Sequence, residues 1–115
     1  MDSALVVTWK NPLPGREKMA LDYAVEVSEH WGMLAADGRC SPPEMFFFPD
    51  GTGMWMVKGD RLTLEELMYA EESQHLTRKG QLLLEAFAWS FAMTGRAGEE
   101  YLLNWAATAQ ELAIF

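Results

Sequence analysis

The chain has 115 residues, 50% of them hydrophobic and 12% aromatic, with a net charge of −8. This length suits one domain with one core, and this composition excludes a disordered chain. The negative charge argues against nucleic acid or an anionic membrane as partner, because both require clustered Lys and Arg.

A short β-branched run, Ala4-Leu-Val-Val-Thr-Trp9, predicts a first strand, broken by Asn-Pro-Leu-Pro-Gly at 11–15. From Arg16 to Ala36 the period changes. Ala20, Ala24, Val27, Trp31 and Leu34 recur every three or four residues with acids between them, which predicts an amphipathic helix. Gly38 is its expected left-handed cap.

Residues 44–58 predict a hairpin of strands 44–48 and 54–58 around the turn Pro-Asp-Gly-Thr-Gly. Both of its faces are apolar. Met45 and Phe47 point one way, Phe46 and Phe48 the other, and Trp55 and Val57 oppose Met54 and Met56. Pro43 and Pro49 mark 44–48 as an edge strand.

Thr63-Leu-Glu-Glu66 reads as a capping box opening a helix that Gly80 ends. Residues 82–93 alternate, with Phe87, Trp89, Phe91 and Met93 on one face and Ala86, Ala88, Ser90 and Ala92 on the other, as a strand requires. A last helix from about Gly98 carries the stripe Tyr101, Leu102, Trp105, Ala109 and Leu112.

This order predicts an α+β fold: a ferredoxin-like βαββαβ plait over 4–94 with an extra C-terminal helix over 97–115, all in one domain, 1–115. The sheet is antiparallel and four-stranded, ordered 4-1-3-2, with the helices on one face. The bulky sets (Leu5, Val7 and Trp9 with Phe87, Trp89 and Phe91) are expected on the helix side, and Val6, Thr8, Ala88, Ser90 and Ala92 on the other. The hairpin's second face then needs a cover, either the last helix or a second copy of the chain.

The element order, with Pro14-Gly-Arg-Glu17 leading into the first helix, resembles the dimeric α/β-barrel superfamily, in which two plaits pack sheet against sheet. That superfamily includes cofactor-independent monooxygenases of antibiotic biosynthesis and haem-degrading enzymes. The resemblance implies a homodimer. The haem-degrading members use an Asn of the first strand and a Trp and a His of the second helix. Asn11 and His75 stand at comparable places, but residues 63–79 contain no Trp.

The residues also allow a binding reading. Trp9, Trp55, Phe87, Trp89 and Phe91 form an aromatic ladder suited to a flat apolar ligand, or to plain core packing. A catalyst on this scaffold would draw on His75, Tyr69 and Asn11, and at least two of them would have to converge on one enclosed space.

Glu72-Ser-Gln-His75 has carboxylate–histidine spacing, but di-iron sites need two such motifs in a helical bundle; no metal and no cofactor are expected. Each histidine also follows a glutamate by four residues, Glu26 before His30 and Glu71 before His75, and the simpler reading is that each sits at the margin of its helix and hydrogen-bonds to a neighbouring carboxylate. With one cysteine, Cys40, no intrachain disulfide forms. The N-terminal residues have neither signal- nor transit-peptide character, and no run is long enough to span a membrane. The expectation is a cytoplasmic homodimer that binds an apolar or aromatic small molecule, with a cofactor-independent monooxygenase as the alternative.

Overall fold

The computed structural model describes residues 2–114, so the ends of the expected domain 1–115 lie outside the described residues. The elements are β1 (Ser3–Trp9), α1 (Glu17–Ala36), β2 (Glu44–Phe47), β3 (Gly53–Gly59), α2 (Arg61–Tyr69), α3 (Glu71–Leu83), β4 (Ala88–Met93) and α4 (Gly95–Glu111). The four strands form one antiparallel sheet ordered β2-β3-β1-β4. This is the expected order read from the other edge, with β2 on an edge.

Helix α1 stops where expected. The Gly38 amide donates to the Ala35 carbonyl (2.9 Å) and the Arg39 amide to the Leu34 carbonyl (3.1 Å), while Gly38 takes φ +77°. These are the two bonds of a Schellman cap, which only glycine enters without strain. In the β2–β3 turn, the Thr52 hydroxyl (2.6 Å) and amide (3.0 Å) both donate to Asp50 Oδ1. The Thr52 hydroxyl is the main reason the Asp50 carboxyl titrates below its ordinary value.

The second crossover departs from expectation. In place of one helix ended by Gly80 there are two helices, broken at Ala70, whose ψ of 147° is extended. No Gly or Pro marks the break. It lets α2 bury Leu64, Leu67 and Met68, while α3 swings alongside α1 and buries Leu76.

The capping box does not form. α2 begins two residues earlier, at Arg61, and Glu66 leans towards Arg39 (3.7 Å) instead of back to Thr63. Gly80 lies inside α3, which runs on to Leu83, so β4 is shorter than the expected strand over 82–93. Between α3 and β4 the chain runs beside the 11–13 loop: the Glu85 amide donates to the Asn11 carbonyl (2.9 Å), and Ala86 turns with φ +51°.

The sheet faces are as expected. On the helix side the register aligns Trp55, Val7 and Trp89 in one row and Val57, Leu5 and Phe91 in the next. Leu5, Val7, Val57, Leu64 and Trp31 are almost wholly buried, each stabilising by roughly 1.5–3 kcal/mol relative to exposure.

The other face carries Val6, Thr8, Met54, Met56 and Ser90. Helix α4 packs chiefly against β4, at the edge opposite β2. It therefore leaves the hairpin's second face uncovered, with Phe46 40% and Phe48 47% exposed. Its own Tyr101, Leu102, Trp105 and Leu112 are each more than half exposed. The radius of gyration, 16.5 Å, exceeds the about 13 Å of a compact chain this long, in keeping with a helix that does not fold back over the sheet. Among the described residues no helix is long and apolar enough to cross a membrane.

Candidate functional site

Between α1 and the β1–β3 part of the sheet lies a cavity of about 330 Å³. Its floor is Trp9, Met45, Phe47 and Trp55; α1 roofs it with Ala20, Tyr23, Ala24 and Val27, and Phe87 closes one side. Such an apolar, aromatic enclosure is what small-molecule sites have in common.

Two glycines shape it. A Cβ on Gly53 would stand 2.5 Å from the Trp9 ring. Because Gly53 has none, the Trp9 indole lies over β3 and reaches Phe47 on β2, edge to face at 6.3 Å. A Cβ on Gly80 would meet the Phe87 ring at 2.5 Å and the Tyr23 hydroxyl at 2.6 Å, so this bare spot of α3 lets both rings close in. Trp31, packed against Trp55 with ring centres 5.3 Å apart, props α1 above the sheet.

Polar groups are few. Glu17, in the first turn of α1, stands exposed in the lining, with both carboxylate oxygens accepting from the Gly15 amide at 3.0 Å. The Tyr23 phenol keeps its proton well beyond the ordinary range, first because burial penalises the phenolate and then because Glu26 is near.

The aromatic ladder divides. Trp9, Trp55 and Phe87 line the cavity. Trp89 and Phe91 do not. They pack edge to face at 5.6 Å, with Tyr69 against Trp89 at 5.7 Å and the Arg61 guanidinium 4.3 Å above the Phe91 ring. The three polar candidates do not converge either. Tyr69 is 63% exposed, His75 is exposed on α3, and neither lines the cavity. Asn11 comes nearest, its side chain against Gly51 at the rim. The polar residues in the lining, Glu17 and Tyr23, were not singled out from the sequence; their three- and four-residue spacing to Ala20, Ala24 and Val27 was the available signal.

His30 has a different partner from the one its spacing implies. Glu26 binds Lys79 (2.8 Å), and His30 reaches across to α3, with Nε2 2.9 Å from the Ser73 hydroxyl and Nδ1 3.8 Å from Glu72. The trio has the residue types of a hydrolytic triad, but Ser73 is 2% exposed and lies outside the cavity lining. It is a tether between two helices. Burial lowers the His30 pKa, and Glu72 only partly opposes this. The Cys40 thiol is buried in the core and its pKa is raised for the same reason. Among the described residues no group of three or more His, Cys, Asp or Glu is placed to hold a metal ion.

The chain matches no family model and no curated protein sequence. It does resemble solved structures. A Deinococcus radiodurans protein named as a candidate antibiotic biosynthesis monooxygenase superposes with a TM-score of 0.65 at 7% identity, over 83% of this chain and 94% of that one. A Mycobacterium tuberculosis protein superposes at 0.63 with 13% identity, over 80% and 93%. SnoaB, a cofactor-independent oxygenase of Streptomyces nogalater, superposes at 0.60 with 9% identity, over 84% and 95%. The shared fold is the ferredoxin-like plait, in the form that the antibiotic-biosynthesis-monooxygenase-like neighbours also have. At these identities the likeness concerns the backbone alone, and this fold carries many functions.

Proposed function

We propose that the chain is a cytoplasmic homodimer whose aromatic cavity binds an apolar or aromatic small molecule. The observation that carries this reading is the cavity itself: about 330 Å³ of space under α1, lined by Trp9, Phe47, Trp55 and Phe87 and left unfilled by the chain's own side chains. A half-open cleft whose lining is apolar and rich in aromatic rings is the common form of a small-molecule site, which supports an occupant here.

The dimer is supported by the uncovered sheet face and by the exposed apolar stripe of α4, since exposed apolar patches mark interaction surfaces. The cytoplasm suits a chain whose single thiol is reduced and buried.

Native mass spectrometry of the purified protein tests both parts. A dimer carrying a few hundred extra daltons supports the reading. A monomer at micromolar concentration contradicts the dimer. A bare protein that also takes up no aromatic probe contradicts the binding site.

A second reading, a cofactor-independent oxygenase acting on an aromatic substrate, draws on the likeness to SnoaB. In it, Tyr23 and Glu17 are the polar groups in the lining and Asn11 stands at the rim, while His75 and Tyr69 stand outside. Oxygen uptake with phenolic and other aromatic probes tests it, with Tyr23→Phe expected to lower any turnover.

A further inference from the structure

The charges around the cavity are one-sided. Glu17 is the one charged residue in its lining, and among the described residues no Lys, Arg or His lines it. Of the two bases flanking Glu17 in sequence, neither of which lines the cavity, the Arg16 guanidinium donates to the Leu82 carbonyl and Lys18 pairs with Asp22 at 3.4 Å. Five aromatic rings, those of Trp9, Tyr23, Phe47, Trp55 and Phe87, share the enclosure. Their faces carry negative potential, which attracts cations and repels anions. The whole chain adds a net charge of −8. A field of that sign raises the local concentration of cations and lowers that of anions.

We propose that the cavity's ligand is an organic cation, an ammonium group on an apolar body, with the ammonium beside Glu17 at the mouth and the body among the rings. This rests on the small-molecule-binding reading above. The layout fixes the direction of entry. Glu17 is exposed in the first turn of α1, while Val27 and Trp55, deeper in the lining, are buried. The Gly15 amide occupies only part of the Glu17 acceptor capacity, since two carboxylate oxygens offer about four lone-pair sites. An ammonium held beside the exposed Glu17 keeps contact with water, so its desolvation cost stays small. A carboxylate or phosphate at the same place would face Glu17 with no cation to answer it.

Three benzyl probes that differ in head group test this: benzyltrimethylammonium, its neutral carbon isostere neopentylbenzene, and the smaller anion phenylacetate. Each is titrated at low salt against the intact protein and followed by the indole N–H signals of Trp9 and Trp55. The cation is expected to bind about three- to thirtyfold more tightly than the isostere, the span of a partly to well desolvated cation–ring contact. Phenylacetate is expected to bind weakest. Glu17→Gln should shrink the cation's advantage by about threefold or more and leave the isostere's affinity unchanged. Glu99→Gln, a charge loss on exposed α4 outside this lining, should leave both unchanged. An isostere that binds as tightly as the cation, an anion that binds best, or an advantage indifferent to Glu17→Gln overturns the cation assignment and leaves the binding reading standing. If none of the three shifts Trp9 or Trp55, the binding reading itself falls, and this inference with it.

Discussion

The helix-side face of the sheet has two unlike halves. Trp55 and Trp89 flank Val7 in the same row, one on each side, yet only Trp55 borders open space. On the β4 side the gap is filled: Tyr69 closes on Trp89, and Arg61 lies over Phe91. On the β2–β3 side, Trp31 holds α1 off the strands and the small residues Ala20 and Ala24 face the gap. The same residue type thus packs a core in one place and lines a cavity in another. What separates them is the size of the residues opposite.

Removing the prop should have the largest effect. Trp31→Ala, at a site 2% exposed, is expected to cost about 3–5 kcal/mol in urea unfolding and to let α1 sink onto Trp55. A loss under about 1 kcal/mol would mean that α1 is not held off the sheet by this ring.

Adding bulk should then separate the halves. Leu5→Phe, beside Phe91 in the filled region, is expected to destabilise by about 1–3 kcal/mol. Ala24→Leu puts its extra carbons into the cavity and should change stability by less than about 1 kcal/mol while blocking probe uptake. Equal costs at both positions would erase the distinction.

The corner that delivers Phe87 to the cavity carries strain. Ala86 sits at φ +51°, where a side chain costs roughly 1–2 kcal/mol and glycine costs almost nothing. Ala86→Gly should therefore raise stability by about 1 kcal/mol, once the extra freedom of the unfolded glycine is subtracted.

The smallest effect concerns the tether that sets α1 beside α3. His30 is held neutral by burial, so its folded pKa lies below the unfolded value near 6.5. The stability this contributes is complete above that unfolded value. It fades as pH falls from about 6.5 towards the lower folded pKa, because the unfolded chain then takes up the proton first. The urea midpoint of the wild type should drop across this window, and His30→Gln should drop less. Parallel curves would remove His30 as the cause.

Much of the fold was legible because periodicity reports it directly. The change from a two-residue to a three-and-four-residue repeat located the strands and α1, and the prolines around β2 located an edge. The break at Ala70 was not legible, since Tyr69-Ala-Glu71 contains no breaker and the kink serves tertiary packing on two different surfaces. Thr63 and Glu66 misled because capping chemistry is local, whereas Glu66 answers to Arg39 from another element.

The site was half legible. Aromatic residues announced a ladder, but its division depends on where side chains are missing, at Gly53, Gly80, Ala20 and Ala24. Gly80 read as a helix stop when its role is to admit Phe87 and Tyr23. His30 met Ser73, 43 residues away, which no local spacing announces.

The most direct test of the account compares the indole N–H signals of Trp9 and Trp55 with that of Trp89 as an aromatic probe such as benzyltrimethylammonium is added. The account predicts that Trp9 and Trp55 shift with a common saturation curve while Trp89 stays in place. Movement of Trp89 without Trp9 and Trp55 would contradict it, as would silence from all three.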